Sequence, residues 1–291
     1  MRWEVLVFLA CCYQYGLVQV LVKKIGATEG SRTRKLVWQF FFAAIFALTT
    51  AMIAGRLELT WSVLVISAIG VLNAFGCYCH WRAYDISMSR TAMLSNLDDL
   101  FAIGLAYAVL GELDVLNPML IAGIAVSFIC ATIFATMKHS AGGAPSAQHI
   151  WWVLGYSSVW GFAFFAMRFF SVKGMHILTF VVAWYVGAWI GALITRFVIM
   201  GKKESSIPLT LPQKGKLLFL ALMVWTSLMV SYWMRELVPI TVIQPIQLVA
   251  EMFIPSVIGL IFFGEARNMS RWEIFVIASS LIGIVLVSFG F

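Results

Sequence analysis

Charge is what this chain lacks most: only 11% of its 291 residues are charged, while 62% are hydrophobic and the mean hydropathy is +0.94. A soluble domain of this length needs far more polar surface to cover its core. A disordered chain is polar and poor in aromatics, whereas 15% of these residues are aromatic. The period-two alternation of transmembrane β-barrel strands is missing as well, because the apolar runs are continuous and about twice the ten residues that such a strand needs. Basic clusters of the kind that grip nucleic acid are absent, and the net charge of +7 is scattered between apolar runs. Cysteine is sparse and odd in number. Cys11, Cys12, Cys77, Cys79 and Cys130 all lie in apolar segments, so no disulfide framework is expected. The grouping Cys77, Cys79, His80 looks like a ligand set, but positions i and i+2 point to different faces of one helix, and no metal is expected there. No GxxxxGK[ST], HExxH or GxSxG occurs, so neither ATP-driven work nor an enzymatic nucleophile is indicated, and no cofactor is expected.

What remains is a membrane protein. A hydrocarbon core about 30 Å thick needs a helix of about 20 apolar residues, and ten segments of that kind are read at 4–22, 36–54, 62–82, 92–110, 117–137, 150–170, 178–199, 216–235, 242–263 and 272–290. The fold class is therefore all-α and polytopic. The first segment carries Tyr13, Gln14, Tyr15 and Gln19 and has no small-residue cleavage site, so it reads as a retained helix rather than a signal peptide. The longest polar gap, 138–149, contains Gly142-Gly143-Ala144-Pro145-Ser146 and has the chemistry of a linker. It separates a first unit, 1–137, from a second, 150–291.

The two units align. Leu110-Gly111-Glu112 closes the fourth segment, and Phe263-Gly264-Glu265 closes the ninth. The same offset pairs Arg82 with Arg235 and Asp98 with Glu251. Tyr15-Gly16 matches Trp160-Gly161, Lys23 matches Arg168, and Trp38 matches Trp184. With five spans per unit, the second must enter the membrane inverted, which is an architecture of secondary transporters with a midplane site.

The paired Gly-Glu after segments four and nine, the aromatic-Gly in segments one and six and the ten spans resemble the drug/metabolite transporter superfamily, in its EamA-type ten-helix branch. That pattern also has a proline about ten residues before each glutamate. Pro255 occupies the position in segment nine as a helix hinge, whereas segment four has Ala102. The resemblance implies a central cavity lined mainly by helices one, three, four, six, eight and nine, and substrates such as amino acids, amines, nucleotide-like metabolites or drugs.

Fifteen of the 20 Lys and Arg residues fall near alternate loops on one side, and Arg2, Arg56, Arg168, Lys173 and Arg235 are assigned to the other. The positive-inside rule then places both termini outside, while the family is usually drawn with both inside. The expected location is a multi-pass position in a prokaryotic cytoplasmic membrane.

Ionisable groups inside spans carry the functional signal, because each costs about 2.5–3.5 kcal/mol to insert at the midplane. Glu251 lies near half depth, with Gln244, Gln247 and Pro255 on the same stripe. Pro255 leaves the carbonyl of Glu251 without its helical donor. Asp98 is the repeat partner of Glu251, with Thr91 and Ser95 on its face, and Asp99 lies about a hundred degrees away around the helix. Two carboxylates that share one cavity couple, so one of them can carry a proton near neutral pH. Trp160 and Trp184 offer aromatic faces to a cation. Asn73, Cys77, His80 and Tyr84 form a polar stripe on the third segment, and Gln14 is an intramembrane amide on the first. Such side chains also serve as glue between helices. Glu112 and Glu265 are expected to hold turns through backbone or Arg contacts.

These residues point to an alternating-access transporter of a small organic cation or zwitterion (an amine, a quaternary ammonium compound or an amino acid), with protons as the coupling ion competing for Glu251 and Asp98. The alternatives are an exporter of neutral or anionic metabolites whose acids are merely packed, and a non-transporting scaffold or sensor subunit. Partners are the small-molecule substrate, protons and the lipid bilayer, with no nucleic acid.

Overall fold

The computed structural model describes residues 3–26, 31–94, 96–111, 118–136, 147–200 and 208–265, and isolated positions from 270 to 286. Among these residues the only regular structure is helical. We number the helices α1 (Leu6–Gly26), α2 (Arg32–Ile53), α3 (Trp61–Ile86), α4 (Met88–Leu110), α5 (Pro118–Thr136), α6 (Ala147–Val172), α7 (Ile177–Val198), α8 (Leu211–Leu237) and α9 (Ile240–Ile261). Seven of them, α1–α4 and α6–α8, are long and apolar enough to cross a bilayer. The expected tenth span, 272–290, falls mostly outside the described residues, as do Glu112, Ser95 and most of the 138–149 linker.

Several helices run past the ends of their apolar runs. α2 starts at Arg32 because the side chain of Ser31 accepts a hydrogen bond from the Arg34 amide, a standard N-cap. Lys35, also in that first turn, is buried and donates to the carbonyls of Ile25 at 3.0 Å and Gly26 at 3.4 Å, which satisfies the end of α1. Arg32 pairs with Asp85 at the end of α3. Charges that read as loop residues therefore clamp helix ends.

Where the apolar effect is weak, as between helices in lipid, association depends on close packing and on small residues. α3 and α7 meet in this way. A Cβ on Gly187 would lie 2.0 Å from the Ser67 carbonyl, one on Gly191 would lie 2.3 Å from that of Val71, and one on Gly70 would lie 2.3 Å from that of Trp184. α6 approaches α4 just as closely, since a Cβ on Gly161 would lie 2.5 Å from the carbonyl of Asp98. Gly16 on α1 faces Ile254 on α9. The Trp160-Gly161 doublet thus lets α6 approach the helix that bears Asp98, whereas a Cβ on Gly16 would meet Ile254 at an ordinary 3.6 Å.

Two stretches depart from the α-helical repeat: Cys12–Val18 within α1 and Ala106–Leu110 at the end of α4 form π-turns. Such turns displace side chains around the helix and often occur at functional sites. The glycines of both Gly-Glu pairs take the left-handed conformation, Gly111 at φ +68° and Gly264 at φ +66°, which ends the helix at a position closed to most other residues.

Candidate functional site

Three carboxylates meet inside the bundle. Asp98 and Asp99 on α4 are fully buried, Glu251 on α9 is 5% exposed, and one oxygen from each lies within 4.8 Å of the others. The Asp99 amide donates to Asp98 at 2.8 Å. Both faces of α4 are covered, by α6 on one side and α9 on the other, so Asp99 enters the same cluster as Asp98 despite the angular step between them. Gln244 donates its amide N–H to Asp99. Oδ2 of Asp98, Oδ2 of Asp99 and the hydroxyl of Tyr15 are buried without a hydrogen-bond partner among the described residues. No Lys or Arg of the described residues lies within ion-pair distance of Asp98 or Asp99.

Arg235 stands behind the cluster. It is fully buried on α8, and its guanidinium donates to Gln247 at 2.6 Å, to Gln244 at 3.1 Å and to the Ser231 carbonyl at 3.1 Å, while lying 4.5 Å from the Phe164 ring centroid. Its own carbonyl accepts from Arg168 at 2.7 Å and from Ser171 at 3.3 Å, both on α6. Arg235 therefore lies inside α8 and not in a loop, contrary to its place in the charge count. Arg235 is an interior residue because α6 closes over the end of α8, where Arg168 and Ser171 bind its carbonyl.

Beside this polar core lies a cavity of about 120 Å³. Gln14, Asn73, His80 and Trp160 line it, as do Cys77 and Trp184. Glu251, Asp98, Gln244 and Gln247 are not among its lining residues. The lining also includes Gln19, Gln39, Ser227 and Ser231, none of them selected from the sequence. Its polar groups are neutral amides, hydroxyls and an imidazole, set among Phe40, Trp81, Phe164 and Tyr185. Trp160 donates its indole N–H to Asn73 at 3.1 Å, and its ring sits 4.8 Å from that of His80, which also meets Tyr84 at 4.1 Å and Tyr156 at 5.1 Å. Cys79 packs against Gly155 on α6, away from the cavity, so the Cys77, Cys79, His80 grouping does not converge on a common point.

Cavity and carboxylates are joined by one hydrogen-bonded chain. Ser231 donates its hydroxyl to Gln14 at 2.9 Å, the Ser231 carbonyl receives Arg235, Arg235 donates to Gln244, and Gln244 donates to Asp99.

Pro255 sits within a helix that continues to Ile261. Glu265, beyond the end of α9, binds the start of α4: it accepts from the Ser87 hydroxyl at 2.8 Å, from the amides of Met88 and Ser89 at 3.0 Å each, from the Ser89 hydroxyl, and from Lys23 of α1. Its contacts include two backbone amides, and its basic partner is a lysine, Lys23. Burial acts to raise the Glu265 pKa, but the hydrogen bonds and charge of Lys23 together with the Ser89 bonds outweigh it and pull it down to about 2.

Residues 2–140 match the EamA-like transporter family. The match covers the first half of the chain and makes it similar to that family, which lies in the drug/metabolite transporter superfamily and carries small molecules; with the apolar helices it supports an integral, multi-pass membrane protein. A solved structure titled only "Crystal structure of protein" shares the fold, with a TM-score of 0.70 and 14% identity over 99% of this chain and 98% of that one. No curated relative matches the sequence.

Proposed function

We propose that the protein is a secondary transporter of a small organic cation or zwitterion, driven by protons taken up at the Asp98, Asp99, Glu251 cluster. The observation that carries this reading is the hydrogen-bonded chain from Gln14 through Ser231, Arg235 and Gln244 to Asp99. Three carboxylates with one guanidinium behind them leave two negative charges in excess if all are ionised, and an uncompensated buried charge costs several kcal/mol. Protons remove that cost while the cluster is dry. They leave when the cluster opens to water.

The cavity is the substrate's seat. Its volume is far below the roughly 300–1,000 Å³ of drug-sized pockets, so it suits a metabolite of amino-acid size. The indole and phenol faces of Trp160, Trp184 and Tyr185 attract an ammonium group, and the amides of Gln14, Gln39 and Asn73 can bind its carboxylate or hydroxyl. Because the acids stand outside the lining, substrate and proton compete through the placement of Arg235 rather than for one oxygen of Glu251.

The reading includes ten spans in two inverted five-helix repeats. Helix neighbours support it: α3 packs on α7 as α8 packs on α2, and α4 packs on α6 as α9 packs on α1. The matching left-handed glycines of the two Gly-Glu pairs give further support. An odd number of spans in each unit inverts the second, and rocking one unit against the other opens the cavity to each side in turn.

Glu251→Gln in proteoliposomes tests the coupling. A pH gradient then drives no flux, while equilibrium ligand binding persists. Unchanged proton-driven flux in this variant overturns the proposal. A second reading, an exporter of neutral metabolites, is favoured by the absence of any carboxylate among the described residues that line the cavity. A ligand screen at several pH values separates the two, since binding of a cation that weakens as pH falls belongs only to the first.

A further inference from the structure

A second concavity lies on the outside of the bundle, where the end of α1 meets the start of α8. It is a groove of about 540 Å³, lined by Leu21, Lys24 and Ile25 from α1 and by Pro212, Gly215, Lys216 and Phe219 from α8. Each helix contributes a stripe at three- and four-residue spacing, and the stripes run antiparallel. The two lysines therefore lie near one level, at the membrane edge, while Leu21 and Phe219 lie about one turn deeper. Both lysines are exposed and make no ion pair or hydrogen bond among the described residues. Phe219 is 50% exposed, and nothing approaches within 4 Å of the place where a Cβ on Gly215 would stand.

We propose that this groove binds an anionic phospholipid, with the phosphate between Lys24 and Lys216 and an acyl chain along Leu21 and Phe219. Charge complementarity carries the choice of occupant. The segments flanking this groove, 23–35 and 196–216, hold ten of the chain's 20 Lys and Arg residues. By the positive-inside rule that end faces the cytoplasm, where the leaflet is anionic and basic pockets between helices take phosphorylated headgroups. Lys24 and Lys216 differ from their neighbours in being uncommitted: Lys23 pairs with Glu265, Lys35 binds the end of α1, and Lys214 lies 4.5 Å from the Trp38 ring centroid. The apolar floor needs hydrocarbon, so a lipid fits where free inorganic phosphate does not. Occupancy would brace α1 against α8, which between them supply Gln14 and Ser231 to the cavity wall.

The test is native mass spectrometry of the purified full-length protein in neutral detergent, titrated with phosphatidylglycerol, phosphatidylcholine or inorganic phosphate. Phosphatidylglycerol is expected to bind, with phosphatidylcholine and phosphate at least tenfold weaker. The double variant Lys24→Gln/Lys216→Gln should weaken phosphatidylglycerol about thirtyfold, since each lysine near an anionic headgroup is worth roughly a factor of five. Gly215→Trp, which fills the groove and keeps both charges, should weaken it as well and keeps the test open should the double variant not fold. Equal binding of the two lipids, or phosphatidylglycerol binding that survives both variants, overturns the proposal.

Discussion

Replacing Glu265 by Gln should destabilise the protein by about 3 kcal/mol at neutral pH, and the loss should fade in acid. The carboxylate takes hydrogen bonds from Lys23, Ser87, Met88 and Ser89, which join the end of α1, the beginning of α4 and the end of α9 at one point. Moving a carboxyl from its ordinary 4.5 to about 2 on folding corresponds to about 3 kcal/mol of native-state stability at pH 7. The native value is the depressed one. The contribution is therefore complete above about pH 4.5 and disappears as pH falls from there towards 2. Thermal unfolding in detergent, followed by tryptophan fluorescence from pH 7 down to pH 3, should show the variant well below the parent at pH 7 and the two curves converging at the acid end. A double-mutant cycle with Lys23→Met isolates the ion pair. Contacting charges give non-additive costs, with a coupling of about 0.5–3 kcal/mol. A variant as stable as the parent at pH 7, or a deficit independent of pH combined with additive costs, would refute this account of the turn.

Arg235→Met should cost about 3–5 kcal/mol in unfolding experiments, because it removes the charge behind three buried carboxylates and strands Gln244 and Gln247; Arg235→Lys should retain much of the stability yet lose the proposed proton coupling, since one ammonium does not reproduce the planar two-nitrogen contact that holds both amides and the Ser231 carbonyl. Trp160→Ala should weaken binding of an ammonium-bearing ligand about 2- to 30-fold by isothermal titration, the range of a cation–π contact worth about 0.5–2 kcal/mol, with a smaller effect on an uncharged isostere. Gly187→Ala should cost at least about 2 kcal/mol and reduce the monodisperse yield in size-exclusion chromatography, because the new methyl meets the Ser67 carbonyl at 2.0 Å and forces α3 from α7.

Much of the scaffold is legible in the sequence because lipid leaves little choice: a continuous apolar run of about 20 residues is a helix, and a glycine before the terminal glutamate marks a left-handed stop. The ends of the helices are less legible. Arg32, Arg34 and Lys35 look like loop charges until Ser31 caps the turn that holds them and Lys35 finds the α1 carbonyls. Arg235 was hidden by the same ambiguity. Two residues from the end of α8, its sequence neighbours suit a membrane edge, and only the covering by Arg168 and Ser171 reveals it as buried. Asp99 was obscured for another reason. A helix packed on one side has one inner face, but α4 is enclosed on two, so a residue a hundred degrees from Asp98 is equally interior. Ser227, Ser231, Gln19 and Gln39 carry no signal that separates a cavity wall from ordinary interhelical bonding.

The separation of the acids from the cavity has a mechanistic consequence. A carboxylate inside the substrate's seat links substrate and proton by exclusion: one leaves when the other arrives. In the proposed cycle the intermediary is an arginine that holds two glutamines by Nη2 and a backbone carbonyl of its own helix by Nη1. An ammonium-bearing ligand beside Ser231 and Gln14 repels that guanidinium towards α4 and α9. There it meets Asp98 and Asp99, whose outer oxygens have no other partner among the described residues, and an approaching positive charge favours their ionised forms. On the proposed function, proton release then accompanies substrate entry without contact between the two. Linkage requires the converse: protons on the cluster free Arg235 to return towards the cavity and lower the affinity for a cation. A zwitterion alters the balance, because its carboxylate can hold the arginine on the cavity side while its ammonium rests on the aromatic wall. The sign of the proton count on binding, measured by titration in buffers of different ionisation enthalpy, therefore distinguishes a cationic substrate, which releases protons, from a zwitterionic one, which takes them up. No net proton exchange with either class would mean that Arg235 carries no signal between the two sites.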